Sequence, residues 1–359
     1  MVKLRVGVLG ATGAVGQTFV GLLDGHPLFE VVALAASERS EGRPYREAAN
    51  WISGREMPAW AAEQRVEACE PGLDVDVVFS GLDASVAGDI EAAFARAGTP
   101  VISNARNHRM QADVPLLVPE VNPDHTALVD RQDWGSGGGF IVTNPNCSTV
   151  GLVVPLRPLH DAFGVDAVHV VTMQAISGAG YPGVPSLDAL ANVVPFVPGE
   201  EEKMNRETRK ILGTLGDAGV ADAGVTISAQ CNRVPVLEGH TECVSVRLRT
   251  PASAADVAEA LREWRSPIAA LGLPTAPARP VRVHDDERHP QPRRHAMAGG
   301  GMEVGVGRIQ ECPVLGVKFV VLSHNTIRGA AGGAILNAEL LVAQGRLMRR
   351  GERVAAEAG

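Results

Sequence analysis

The sequence predicts an α/β protein of two domains, one with a parallel sheet and a second, α+β, with a mixed and largely antiparallel sheet. Three observations carry that expectation. The chain has 359 residues, more than one hydrophobic core normally organises. Strand-like and helical stretches alternate through the first 145 residues, which implies a parallel sheet built from right-handed crossovers. Beyond residue 147 the strand-like stretches are separated by long helical or irregular segments rather than short regular crossovers, a pattern that suits a mixed sheet.

Taken in order, residues 3–9 (KLRVGVL) read as a strand and run at once into the glycine-rich GATGAVG of residues 10–16. The following stretch has helical spacing, with Phe19, Leu22 and Leu23 on one face. Residues 29–37 are a second strand, 74–82 a third, 84–98 a helix and 100–105 another strand. This is a Rossmann-like order. Asn144, Pro145 and Asn146 then form a turn, and a helix is expected from Ser148 to Leu159. Residues 165–177, 242–250, 302–310 and 315–325 read as strands, and 328–347 as a small-residue helix that packs back on the first domain. The expected boundaries are therefore 1–146, 147–325 and 326–359. The Pro/Arg/His-rich stretch 284–295 reads as a charged loop, and its HDDERH run as no metal site.

Composition narrows the function classes. Aromatic residues make up 4% of the chain and the formal net charge is −8, which argues against base-stacking platforms and against nucleic-acid or membrane-surface partners. No apolar run approaches the length of a membrane span, and the first residues enter a strand directly, so a cytoplasmic protein is expected. Five cysteines lie scattered without a CxxC pair, which favours neither a disulfide framework nor a zinc site.

Five stretches bear on chemistry. Gly10-Ala11-Thr12-Gly13-Ala14-Val15-Gly16 follows a strand and opens a helix, the context in which backbone N–H groups approach a pyrophosphate; a ligand-free βα turn is the bland alternative. The second strand ends with Ser37, Glu38, Arg39 and Ser40. A serine and an arginine there suit the 2′-phosphate of NADP, whereas an inward-pointing Glu38 would favour NAD. Cys147, in TNPNCSTVGL, stands where a helix N-terminus favours thiolate, although a buried cysteine is more often an inert small hydrophobe. His240 follows Gly239 in a loop leading to a strand and is a candidate general base; taken alone, a structural histidine is the commoner reading. Glu200 and Lys203 in GEEEKMNRETRKIL read, on spacing alone, as a solvated i,i+3 pair.

Together GVLGATGAVGQ, LAASERS, DVDVVFSGL, NPNCSTVGL, TMQAISGAG, GEEEKMNRETRKILG, NRVPVLEGHTE and NTIRGAAGGA resemble the aspartate-semialdehyde dehydrogenases of archaea and fungi through nearly the whole length. The resemblance implies an NADP-dependent enzyme of the aspartate pathway to Lys, Met, Thr and Ile, acting as a homodimer or homotetramer. It implies Cys147 as nucleophile, His240 as acid/base and Gln174 as the group that orients substrate beside the thiol. Arg233 would bind the substrate α-carboxylate, Glu200 the α-amine, and Lys203 with Arg106 phosphate, beside Asn104. Cofactor contacts would come from Gly10, Thr12, Gly13, Ala14, Val15, Ser37, Arg39, Ser40, Ser80, Gly178 and Asn325. Substrates would be aspartyl phosphate or, in reverse, aspartate semialdehyde and phosphate. Backbone N–H groups near Cys147 would hold the developing oxyanion. Two alternatives stay open: a malonyl- or succinyl-CoA reductase of the same branch, and a catalytically silent NADP-binding sensor.

Overall fold

The computed structural model describes residues 2–135 and 137–351. A first unit takes the chain up to Leu117, His125–Asn144 and the stretch from Ala331 onward. Strands β1 (Leu4–Leu9), β2 (Phe29–Ala36), β3 (Val66–Ala68), β4 (Val77–Ser80), β5 (Val101–Ser103) and β6 (Ile141–Thr143) lie in the order β3-β2-β1-β4-β5-β6, and every pair is parallel. Helices α1 (Ala14–Leu23) and α4 (Ala84–Arg96) and the short turns α2 (Tyr45–Ala48) and α3 (Ala59–Glu63) connect them. The order reverses between β1 and β4, so a crevice opens at their carboxyl ends, beside the glycine loop.

Adjacent residues of β4 anchor the two faces of this sheet, because successive side chains of a strand point to opposite sides. Val78 joins Leu9, Phe94, Val101 and Ile141 in one buried cluster. Phe79 instead meets Phe19 and Phe29, at ring-centroid distances of 5.1 and 5.8 Å. α4 starts where Asp83 accepts the Ser85 N–H at 2.9 Å, an N-cap in the usual sense. The segment near the carboxyl end, expected as a helix over 328–347, is a wider helical turn at Ile327–Ala331 followed by α10 (Gly332–Ala343). α10 packs against β5 of the first unit, and His26 of that unit meets Glu339 at 2.9 Å.

The second unit takes Val118–Asp124 and Pro145–Ala330. Its six strands are β7 (Val165–Gln174), β10 (Thr226–Arg233), β11 (His240–Leu248), β12 (Val281–His284), β13 (Val304–Cys312) and β14 (Gly316–Ser323), in the order β10-β7-β11-β14-β13-β12. The three central pairs are antiparallel and the two outer pairs parallel, so the sheet is mixed as the sequence implies. A hairpin of β8 (Thr214–Gly216) and β9 (Gly219–Ala221), helices α5 (Cys147–Phe163), α7 (Glu200–Ile211) and α8 (Ala254–Glu263), and the short turns α6 (Ser186–Ala189) and α9 (Pro292–His295) complete the unit. Arg328 binds Glu120 bidentately, at 2.6 and 2.9 Å, with both side chains buried.

α5 positions the site. Asn146 accepts the N–H groups of Ser148 and Thr149 at its start, and Gly164, at φ 68°, ends it with an N–H bond to the His160 carbonyl. Val150, Leu152, Val153, Val154, Leu156 and Leu159 are buried, and the helix packs on β11 and β14. Along β11, His240, Glu242, Val244 and Val246 are buried while Cys243 and Arg247 are exposed. That period of two decides which strand residues face inward. His240 is thus the first residue of a strand rather than part of a loop. Among the described residues no helix is long and apolar enough to cross a membrane.

Candidate active site

Cys147 begins α5, and its Sγ lies 3.2 Å from Nε2 of His240. The other ring nitrogen, Nδ1, accepts the backbone N–H of Ala175 at 3.0 Å. A nitrogen that accepts a peptide N–H carries no proton, so the neutral ring holds its hydrogen on Nε2, the atom facing sulfur. Burial, then the positive charges of Arg233 and His324, hold the His240 pKa down at about 3. The ring is therefore neutral at pH 7 and donates Nε2–H toward Sγ. This refines the expectation of a base: the geometry favours a thiolate that accepts from His240, assisted by the partial positive charge of the α5 N-terminus. Burial pushes the thiols of Cys69, Cys243 and Cys231 up, the last to about 11.

The Asn146 side chain accepts the backbone N–H groups of Ser148 and Thr149, at 3.0 and 3.3 Å. Asn146 is itself a residue the sequence reading passed over as a turn former. Its Nδ2 donates to Glu200 at 2.7 Å and its backbone N–H to Glu207 at 2.7 Å, so it locks the end of α5 to α7.

Glu200 is the hub of this corner. It opens α7 after Gly199, whose φ of 69° suits glycine. One carboxylate oxygen accepts from Lys203 at 2.7 Å, and the other from Asn146 and, at 3.4 Å, from Gln174. The i,i+3 spacing does give an ion pair, yet Glu200 is buried rather than solvated, and only Lys203 reaches toward water. Gln174 ends β7 with its amide also on Thr172, at 3.3 Å. Arg233 ends β10 and donates Nη1 to the Ala175 carbonyl at 2.7 Å. Burial lowers its pKa, while the charges of Cys147 and Glu200 raise it. Gly178 is held against this group: a Cβ there would stand 2.9 Å from Arg233 Nη1 and 3.0 Å from His240 Cε1. Asn325 bridges Gly239, whose N–H it accepts at 2.9 Å, and Ser177, to which it donates at 2.8 Å. A Cβ at Gly329 would fall 2.6 Å from that of Cys147, so glycine is required beside the thiol. The second unit thus gathers Cys147, His240, Gln174, Glu200, Lys203, Arg233, Gly178 and Asn325.

The first unit offers an anion cradle made by missing side chains. Gly10 has φ 71°, and a Cβ on it would lie 2.9 Å from the Gly81 carbonyl oxygen. A Cβ on Gly16 would fall 2.2 Å from the Gly10 oxygen. Gly13 caps α1 without any side-chain bond, which leaves the first turn, Ala14 and Val15, to present N–H groups to a phosphate. Thr12 is half-buried, Ser37 and Arg39 are exposed just beyond β2, and Ser40 is buried with its N–H on the Ser37 carbonyl at 2.8 Å. The Ser80 hydroxyl donates to buried Glu91 at 2.6 Å and its carbonyl accepts the Asn104 N–H at 3.0 Å. Asn104 also accepts from Asn144 at 2.6 Å. Arg106 is exposed and helps hold the Asp83 carboxyl below its ordinary pKa, after the Ser85 bonds.

Comparison with known proteins agrees with both halves. The family model described as semialdehyde dehydrogenase, NAD binding domain, matches residues 5–129, and that described as semialdehyde dehydrogenase, dimerisation domain, matches residues 156–328. Aspartate-semialdehyde dehydrogenase of Trichophyton rubrum is 49% identical over 96% of this chain and 98% of its own. That of Methanothermobacter thermautotrophicus is 49% identical over 94% and 99%. The crystal structure of aspartate semialdehyde dehydrogenase with NADP from Candida albicans superposes with a TM-score of 0.89, at 47% identity over 96% of this chain and 100% of that one. The chain belongs to the aspartate-semialdehyde dehydrogenase family.

Proposed function

We propose that this chain reduces L-aspartyl-4-phosphate to L-aspartate-4-semialdehyde with NADPH, through a thioester on Cys147, in amino-acid biosynthesis from aspartate. The observation that carries the reading is the 3.2 Å approach of Cys147 Sγ to His240 Nε2 at the start of α5. Relatives of nearly equal length bear the name of this activity, and a solved relative is complexed with NADP.

The cofactor fits the first unit. The Gly10–Gly16 loop suits a pyrophosphate because its glycines let the backbone turn tightly into the start of α1, and Arg39 with Ser37 suits a 2′-phosphate at the end of β2. Bound NADPH supplies the hydride that takes the acyl group to the aldehyde level.

The chain's own residues do the rest. Cys147 Sγ attacks the acyl carbon as thiolate, a C–S bond forms, the C–O bond to phosphate breaks, and phosphate leaves with the bonding pair. The thioester keeps the carbon at the acyl level without a charged oxygen. After reduction the tetrahedral oxygen re-forms its C=O bond and expels Cys147 as thiolate, which accepts again from His240 Nε2–H. Arg233 has guanidinium donors suited to the α-carboxylate, and Glu200 an acceptor for the α-ammonium. Lys203, a point charge on a flexible stem, suits phosphate, which must draw it away from Glu200. We assign the enzyme to the cytoplasm; the match to a dimerisation domain supports assembly as a homodimer or homotetramer.

Initial rates test the reading. With purified protein, aspartate semialdehyde, phosphate and NADP should give saturable NADPH formation that depends on free phosphate. Phosphate-independent turnover together with reduction of malonyl-CoA would replace the acyl phosphate by a CoA ester. No turnover with either would leave a binding protein.

A further inference from the structure

The stretch 284–295 is more than the charged loop its sequence implies. His284 ends β12, Pro292–His295 form the helical turn α9, and His289 lies between them with its N–H on the Asp286 carbonyl at 3.0 Å. The three histidine rings converge. Their centroids are 4.5 Å (His289 to His295), 4.7 Å (His284 to His295) and 5.8 Å (His284 to His289) apart, and their planes are inclined by 62°, 61° and 75°. One ring nitrogen of each lies within 4.8 Å of one from each of the others, and all three residues are half-buried. We propose that His284, His289 and His295 form a binding site for a borderline divalent transition-metal ion such as Zn²⁺, Ni²⁺ or Co²⁺, separate from the Cys147 site.

The donor set suits that class. Neutral imidazole is a preferred ligand of Zn, Ni, Co and Cu, and three imidazoles leave a fourth position for water. Nitrogens held tetrahedrally round zinc are about 3.3 Å apart, so modest side-chain rotation from the present spacing closes the shell. The Nε2 atoms of His284 and His289 are buried without a hydrogen-bond partner. His295 Nδ1 accepts the Gln291 backbone N–H at 2.9 Å and lies 3.2 Å from the Gln291 carbonyl, contacts that fix the orientation of the ring. Arg282 is paired with Glu303 and Arg288 with Asp286.

The neighbouring strand is cut to fit. A Cβ at Gly305 would stand 3.1 Å from His284 Nε2, and one at Gly307 would fall 2.3 Å from the His289 carbonyl oxygen. The V-G-V-G run of β13 therefore gives the His284 ring and the His289 backbone their places. An ion held there would tie β12 to α9 and stabilise this corner of the second unit.

The test uses tag-free, metal-stripped full-length protein titrated calorimetrically with ZnCl₂ and NiCl₂, and with CoCl₂ followed by visible absorption. Wild type and Cys147→Ser should each bind one equivalent, show cobalt d–d bands and gain thermal stability with added metal. His289→Ala and His295→Gln should each lose at least about tenfold in affinity together with the cobalt bands. Their retained semialdehyde turnover reports that they fold. Absence of stoichiometric binding by wild type overturns the proposal. So does binding unchanged in both histidine variants, or binding lost in Cys147→Ser, which would assign the metal to the thiol.

Discussion

The two units make their sites by opposite means. In the first, the Gly10–Gly16 loop works by exclusion: there is no Cβ where backbone atoms come within 2.2 to 2.9 Å. In the second, the thiol corner works by convergence, with Cys147 from α5, Gln174 from β7, Glu200 from α7, Arg233 from β10 and His240 from β11. An excluded-volume site tolerates almost no addition, whereas a convergent site is graded, since each side chain contributes its own share. The following experiments probe that contrast, beginning with the largest effect.

Cys147→Ser should lower turnover by about a thousandfold or more, because a hydroxyl beside a ring that donates rather than accepts has no base. NADPH affinity, measured by fluorescence titration, should stay within about twofold of wild type. Near-normal turnover would remove the covalent mechanism. Gly16→Ala is the counterpart in the first unit. The added carbon must displace the Gly10 carbonyl, so NADPH affinity should fall by about a hundredfold, roughly 2.7 kcal/mol. Unchanged affinity would show that the loop relaxes freely and that exclusion is not its principle.

His240 gives a stability signature. Its folded pKa of about 3 lies below the ordinary imidazole value of 6.5, so between those values the unfolded chain binds the extra proton and stability rises with pH. From pH 7 to pH 5 this group should remove about 2 kcal/mol of stability. His240→Asn should lack that part of the acid sensitivity, as read by urea unfolding at both pH values. Equal pH dependence in the two proteins would mean that the ring is not held neutral. Smaller still, Arg233→Ala should weaken aspartate semialdehyde by about tenfold and leave phosphate nearly unaffected, and Lys203→Ala should do the reverse. If both variants lose both ligands equally, the Glu200 network acts as one unit rather than as separable anion sites. The smallest effect belongs to exposed Arg39. Arg39→Ala should raise the NADP KM by about three- to tenfold and leave NAD use unchanged.

The same contrast explains how far the sequence could be read. The glycine loop and the alternating strands around it are local signals, so β1, α1, β2, α4 and β5 emerge close to their observed limits. β10 was passed over because its TISAQCNR alternates polar residues on one face with small or apolar ones on the other and carries no hydrophobic run. β12 is four residues long and ends in a histidine, too short for a period of two to register. His240 reads as a loop residue because Gly239 before it, at φ 95°, signals a turn, and the strand begins only at His240 itself. The Cys147–His240 pair spans 93 residues, which no local pattern encodes; the family words supplied it. The three-histidine cluster escaped because its members are five and six residues apart, off any single helix or strand repeat.

The order in which the chain visits its units has a consequence for biosynthesis. Residues 118–124 leave the first unit for the second, where Glu120 meets Arg328, and α10 belongs to the first unit although it follows the whole of the second. Leu336 and Leu340 of α10 are fully buried. As the chain grows from its amino end, the parallel sheet must wait, one apolar flank uncovered, until residues 332–343 have emerged. A fragment ending near residue 144 would carry that bare flank permanently, so isolating the first unit calls for joining α10 back to it through a short linker.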